Sequence, residues 1–501
     1  MTVLRTGARR FVVATATTVV LWSGTAVGVG VSPHRSSVAT GGAEGGALTA
    51  SSTQSGIYRA TATFSSPPPV GHIIEPLSAN PTGMARYHYV EREFFAAGVA
   101  HGLRAVSSPS NGRFKIVPTT AASYRTRILV RRPSNPKRFS GTVVVEWLNE
   151  SAGESDPDWQ FLDPALMASG DAYVGVSAQA LGVEGGAPIL GSIEGSGTGL
   201  VQQEPQRYGT LHHPGDQYAL DIFAQIGLAL RSTKAHVLGA LRPRHVVAVG
   251  ESQSAFYLTT FADALEPPTH AFDGIFIHSR GGGGEPLGGS SITGSTSGSL
   301  RIRTDLRVPV FVFETQTDLI ELGYAAAQQP DTRHIRTWEI AGTSHADAYL
   351  VGGVASSLLG CTTPVNSGPQ HIAAQAAFTA FVRWVVHGTP PPSPPPFRLR
   401  SRHPAALALD RYGNVVGGVR TPAVDVPIST LSGAGPPGAS VICSLFGSTT
   451  SFSPAMLTRL YGTPATYVAR YTADLDRAIA HGYILRADRS MLLAQARQVR
   501  F

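Results

Sequence analysis

The chain has 501 residues, 42% of them hydrophobic and 15% charged, with a formal net charge of +7. That balance supports a large buried core and excludes a disordered polymer, and the basic residues are scattered without a dense tract, which excludes a nucleic-acid-binding surface. The 2 cysteines are far apart and no CxxC or HExxH spacing occurs, so no metal site is expected.

At the N-terminus, Arg5, Arg9 and Arg10 precede an uncharged run from Phe11 to Val31. A basic stretch followed by an apolar one is the pattern of an export signal, so residues 1–31 are expected to be a signal peptide. The alternative is a retained membrane anchor, since the run is just long enough to span a bilayer. Small residues suit cleavage near Ala26 to Gly28 or near Ala50, and the paired Arg9 and Arg10 are compatible with twin-arginine export. Residues 1–50 hold four Arg and one Glu, so their removal lowers the net charge from +7 to +4. The expected location is secreted or cell-envelope. No later stretch is long and apolar enough to cross a membrane, so no membrane association is expected after cleavage.

Residues 32–66 read as a flexible Gly/Ser-rich linker, and a folded core is expected over 67–390. There the chain alternates strand-like and helix-like segments, the pattern of an α/β sheet. Strands are expected at YRTRILVRR (124–132), GTVVVEWLN (141–149), AYVGVSAQ (172–179), HVVAVG (245–250), FDGIFIHSR (272–280), VPVFVFET (308–315) and WEIAGTSH (338–345). Helices are expected at 158–170 with a Gly170 stop, at 215–232 with Asp216 as N-cap, after Ser252, and at 371–388. Residues 281–300 are Gly/Ser-rich and read as a surface loop, either a lid or an outer decoration. Residues 180–214 carry the same two alternatives. A stiff Pro-rich spacer over 388–397 leads to a C-terminal extension, 391–501, expected to pack on the core, with a hairpin turning at Gly413-Asn414 and two closing helices. In an exported chain, Cys361 and Cys443 are expected to form a disulfide joining core to extension.

The chemistry centres on Gly250-Glu251-Ser252-Gln253-Ser254. A serine hydroxyl is a poor nucleophile until a base takes its proton, so it must stand clear of the core within reach of an imidazole. A sharp strand-to-helix turn does this, and its flanks must be small because strand and helix nearly touch. Ser254 stands where such motifs usually carry Gly. An acid and a histidine follow in order, Asp318 after one strand and His345 after another, with Glu314 as runner-up acid and Asp347 third. Ser252, Asp318 and His345 all sit just past strand ends, where open α/β sheets bind ligands. In this arrangement His345 is the general base and Asp318 orients it.

The oxyanion donors expected are the backbone N–H groups of Gln253 and, after the 141–149 strand, of Asn149 and Glu150. Asn149-Glu150-Ser151 also has the form of a glycosylation sequon. Arg280 and Trp159 are expected near the mouth as substrate contacts. His212, His213, His278 and His334 are expected to be surface or structural.

The strings GTVVVEWLN, AYVGVSAQ, VVAVGESQSA, FIHSRG, VPVFVFETQTD and AGTSHAD, with NVVGGVRTP and SLFGSTTSFS beyond the core, resemble a family of exported α/β-hydrolase-domain proteins from about Tyr89 to the C-terminus. The resemblance implies an α/β-hydrolase fold, a mostly parallel central sheet flanked by helices, with Ser252, Asp318 and His345 as triad; it implies no substrate. The leading expectation is a serine hydrolase cleaving small-molecule or polymeric carboxylic esters through an acyl-enzyme, with no cofactor. The alternatives are amide or lactone hydrolysis or acyl transfer, and a non-catalytic binding protein on the same fold. GSGTGL (195–200) lacks the preceding strand of a dinucleotide fingerprint. Oligomeric state is not legible.

Overall fold

The structure, a computed structural model, describes residues 58–78, 83–107, 109–190, 197–232, 236–288, 299–353 and 355–501. The leader, most of the expected linker, the middle of the 281–300 loop and the start of GSGTGL lie outside the described residues.

Among the described residues, nine strands form one sheet: β1 (Thr63–Ser65), β2 (Tyr89–Ser107), β3 (Lys115–Pro133), β4 (Thr142–Trp147), β5 (Ala172–Val176), β6 (His245–Glu251), β7 (Gly274–His278), β8 (Val310–Glu314) and β9 (Ile335–Glu339). Their order is β1-β2-β3-β5-β4-β6-β7-β8-β9, antiparallel from β1 to β5 and parallel from there to β9. The principal helices are α1 (Pro157–Ser169), α2 (Ala219–Leu230), α3 (Gln253–Ala264), α4 (Gln316–Ile320), α5 (Gln370–His387), α6 (Val441–Phe446), α7 (Pro454–Tyr461), α8 (Pro464–Ala480) and α9 (Arg489–Ala496).

Strands β4 to β8 are continuous runs of β-branched and aromatic residues, as parallel strands covered on both faces must be. Successive side chains point to opposite faces. Val143, Val145, Val246, Ala248, Ile275 and Ile277 therefore pack against α2 and α3, while Val144, Val247, Val249, Phe276, Phe311 and Phe313 pack against α1 and α5. Phe276 is fully buried among Phe311, Phe378 and Phe381, with ring centroids 5.3–5.7 Å away.

Several local expectations are corrected. YRTRILVRR is the second half of the 19-residue strand β3, whose 19-residue partner β2 has no clean alternation. β1 falls inside the stretch expected to be linker; three residues are too short for a period to show, yet they pair with Phe95–Ala97. Asp216 is not an N-cap of α2. A short 3₁₀ turn, Asp216–Tyr218, precedes that helix, and the carboxylate accepts the Ala180 N–H at 2.7 Å.

Residues beyond Pro390 are not a separate body. Phe397, Val415, Val424 and Leu431 belong to the main core, and Leu475, Leu492 and Leu493 of α8 and α9 pack on Ile372 of α5. Two small sheets complete this part: β10 (Leu399–Arg402) with β11 (Ala405–Leu407), and β12 (Ser429–Ser432) with β13 (Ser448–Ser451). The expected hairpin turns at Gly413-Asn414, with Leu409 opposite Val415. Cys361 and Cys443 form a disulfide across a sequence separation of 82.

Two stability predictions follow from this architecture. Replacing both cysteines by serine lowers unfolding free energy by about 4 kcal/mol on the loop-entropy account, measured by urea titration. Burial pushes the Glu266 carboxyl up to about 8 against the Phe272 N–H and Arg231, and burial with the Asp216 charge does the same to Glu285. Both hold a proton in the fold that the unfolded chain has released. Their stabilising contribution is complete below the ordinary value of 4.5 and is lost as pH rises through about 8. The unfolding midpoint should be lower at about pH 9 than at about pH 6.

Candidate active site

From β4 the chain crosses to β5 on one side of the sheet, and from β5 it returns to β6 on the other. The loops leaving the carboxyl ends of β4 and β6 therefore diverge, and an open α/β sheet has its crevice at such a switch point. Asn149 and Glu150 follow β4 there; Ser252 follows β6.

Ser252 forms the turn itself, with φ 58° and ψ −119°. A non-glycine residue in that region costs about 1–3 kcal/mol. The turn is held by the Ser252 N–H donating to the His278 carbonyl and the Ala255 N–H donating to the Ser252 carbonyl, each at 2.9 Å. Strand and helix approach so closely that a Cβ on Gly250 would lie 3.0 Å from both Ser254 Cβ and Leu258 Cδ1. Ser254 is fully buried, so serine meets the demand for a small residue. Ser252 itself is partly exposed.

The three residues expected from the sequence meet here. His345 Nε2 lies 2.7 Å from Ser252 Oγ and accepts its hydroxyl; His345 Nδ1–H donates to Asp318 Oδ1 at 2.7 Å. That assignment of the ring protons is the one that satisfies both partners. Asp318 is pinned in turn, because its Oδ2 accepts from the Thr315 N–H at 2.6 Å and the Thr315 hydroxyl at 2.8 Å in the capping box that starts α4. His345 is 4% exposed and Asp318 fully buried. Burial alone would lower the imidazole pKa, but the hydrogen bond and charge of Asp318, with Glu251 behind them, outweigh it and raise the value above the ordinary one.

The other candidate acids stand apart. His345 makes its bond to Asp318 rather than Glu314, whose carboxyl at the end of β8 is held well above the ordinary range by burial and by the Asp318 charge. Asp347 accepts the Leu350 N–H of its own loop.

Of the three oxyanion donors, the Gln253 N–H opens the first turn of α3, where helix geometry leaves it unpaired. The two in the β4 loop are corrected. The Asn149 N–H donates to the Ser155 carbonyl at 2.9 Å, closing the loop on itself, and the Glu150 N–H donates to Gln253 Oε1 at 2.9 Å. The sequon expectation is corrected too, since Asn149 is buried and its amide donates to the Glu251 carbonyl at 3.0 Å. Arg280 is not at the mouth. Its buried guanidinium donates to the Gly281, Gly283 and Leu300 carbonyls, tying together the two ends of the Gly-rich loop. Trp159 is buried under Arg131 and against Tyr173.

His278 was expected to be surface or structural, and its surroundings are more particular than that. It is fully buried, its Nδ1 lies 2.8 Å from Asp158 Oδ1, and its carbonyl is the one that holds Ser252. A charged or polar residue ending an otherwise apolar strand was the available signal, shared by Glu251 and Glu314.

The extension reaches this site. Thr317 Oγ1 accepts the His345 N–H at 3.1 Å and donates to the Gly433 carbonyl. The Gly433 N–H donates to Gln316 Oε1 at 2.9 Å, and the Ala346 N–H donates to the Leu445 carbonyl at 3.1 Å. One strap thus braces both the acid turn and the histidine loop, and the disulfide fastens it at Cys443.

The family described as alpha/beta hydrolase domain matches the chain over residues 64–494. No curated protein matches the sequence. Among solved structures, a putative dienelactone hydrolase from Klebsiella pneumoniae is similar at 12% identity and TM-score 0.30, covering 58% of this chain and 99% of that one. An α/β serine hydrolase without a lid from Xanthomonas campestris is similar at 12% identity and TM-score 0.30, covering 52% and 89%. A glucuronoyl esterase from Solibacter usitatus is similar at 10% identity and TM-score 0.25, covering 57% and 87%.

The two acids can be ranked by the rate at which a fluorophosphonate modifies Ser252, the expected nucleophile. Asp318→Asn should slow it on the order of 10⁴-fold, because the imidazole then settles in the wrong tautomer. Glu314→Gln should cost far less; the reverse ranking would transfer the role to Glu314.

Proposed function

Since the chain belongs to the alpha/beta hydrolase domain family, we propose that it is a serine hydrolase that cleaves carboxylic esters through an acyl-enzyme on Ser252. The observation that carries this proposal is the pair of 2.7 Å bonds that link Ser252 Oγ, His345 and Asp318 around a partly exposed serine. A buried hydroxyl in a structural network needs neither the left-handed turn nor access to solvent.

The steps follow from that arrangement. As Ser252 Oγ bonds to the ester carbonyl carbon, its proton passes to His345 Nε2 and the carbonyl electron pair moves onto oxygen. The Gln253 N–H meets the resulting oxyanion; the Glu150 N–H joins it only by exchanging its Gln253 Oε1 acceptor for the oxyanion. When the tetrahedral centre collapses, the bond to the alcohol oxygen breaks and that oxygen takes the proton from Nε2. Water then repeats the cycle on the acyl-enzyme, giving its proton to His345, and the carboxylic acid departs as Ser252 Oγ recovers a proton. Asp318 accepts the Nδ1–H throughout and steadies the imidazolium. The base works only when neutral, so activity falls as pH drops through the raised pKa of His345.

We further propose that the mature chain works outside the cytoplasm. The basic and apolar leader over residues 1–31 and the Cys361–Cys443 disulfide support this.

The proposal is tested with the mature chain and its Ser252→Ala variant. Wild type should label with a fluorophosphonate at Ser252 and hydrolyse activated esters, and Ser252→Ala should lose turnover by about 10³-fold or more. Near-normal turnover in the variant would remove Ser252 from the mechanism.

A further inference from the structure

The residue before the serine contributes more than its place in the strand. Glu251 ends β6, and the turn at Ser252 leaves its side chain folded against the histidine: Oε1 lies 3.7 Å from His345 Nε2, with both side chains 5% exposed. Asn149 fixes the carboxylate from the other side, its Nδ2 donating to the Glu251 carbonyl at 3.0 Å and to Oε2 at 3.3 Å. Oε1 is left facing the imidazole. The nitrogen it faces is the one that takes the serine proton, so His345 has a carboxylate beside each ring nitrogen, Asp318 at Nδ1 and Glu251 at Nε2. At 3.7 Å the contact is too long for a hydrogen bond and well within the range where one charge shifts the ionisation of another.

We propose that Glu251 is a positioning residue for the hydrolysis inferred above, acting through His345: its carboxylate stabilises the imidazolium formed when Nε2 takes the Ser252 proton. This rests on the serine-hydrolase proposal. The bond to Ser252 and the contact with Glu251 share one nitrogen, so the protonated ring is held at the position from which it must return its proton to the leaving group.

The charges around the pair are few. Glu251 faces His345 from the β9 loop and His278 from β7, which favour its ionised form, and Asp158 of α1 and Asp318 of α4, which oppose it. His345 faces Asp318 and Glu251. Burial is the largest influence on Glu251, and the carboxyl is pushed up to about 7. Each charge acts on the other: the Glu251 carboxylate raises the pKa of His345, and the His345 imidazolium lowers that of Glu251.

A purely structural role, tying the β4 loop to β6 through Asn149, would alter stability or overall rate but not the pH at which the base is lost. The test is the rate of inactivation by a fluorophosphonate across about pH 5 to about pH 9 for the mature wild type, Glu251→Gln and Glu251→Asp. Removing the anion should lower the pKa of His345, so the acid limb of Glu251→Gln should move down by about one pH unit. Glu251→Asp, which keeps the charge and withdraws it, should move it less. A Glu251→Gln limb superimposed on wild type, whatever the amplitude, would overturn the inference and leave the hydrolase proposal standing. A wild type unreactive at every pH would overturn both. If circular dichroism shows Glu251→Gln unfolded, Glu251→Asp decides: a limb displaced downward supports the role, and an unmoved limb overturns it.

Discussion

The left-handed turn at Ser252 is the constraint on which the rest of the site depends. It is costly for a residue with a side chain, and it persists because neighbours on every side leave the chain no other path. Gly250 and Ser254 let the helix sit against the strand. The His278 carbonyl holds the Ser252 N–H, and Asp158 holds the His278 ring. Asp158 and Trp159 are themselves fixed, their N–H groups donating to the Glu146 carboxylate at 2.9 and 2.8 Å. The ends of β4, β6 and β7 are thus joined by buried polar contacts at the level where the sheet opens. In a low-dielectric interior such contacts hold geometry firmly, because breaking one leaves a buried group unpaired.

The parallel half of the sheet was legible because burial on both faces writes itself into the sequence as unbroken apolar runs. Val143 to Val145, Ile275 to Ile277 and Val310 to Phe313 leave little choice of conformation. The meeting of Ser252, Asp318 and His345 was legible for a related reason: polar residues placed just beyond such runs must lie at the carboxyl edge of the sheet. The antiparallel hairpin was half hidden. Over Phe94 to Arg104 the apolar residues are interspersed with Gly, Ala and His without a period of two, and pairing with β3, joined by β1 at Phe95–Ala97, makes that stretch a strand.

What could not be read from the chain was the destination of individual polar groups. Asp216 has the composition and position of a cap, yet a contact 36 residues away claims it. The N–H of Glu150 stands where an oxyanion donor is expected, but the side chain of Gln253, 103 residues on, reaches it. Arg280 looks like a cation at a mouth and serves instead as a clasp on the loop that follows it. In each case local chemistry was read correctly and tertiary competition redirected it.

The strap from Gly433 to Leu445 has a consequence for how the protein comes into being. Thr317 waits for Gly433, 116 residues later, and His345 leans on that same threonine. During synthesis the sheet, the serine turn and both flanking loops are all made before the segment that braces two of them. Contacts of such sequence separation form late, because the chain must first close a long loop. Until that strap docks, Thr317 lacks its Gly433 acceptor and the Ala346 N–H lacks the Leu445 carbonyl. The bracing of these two loops therefore depends on a segment made after the whole of the sheet.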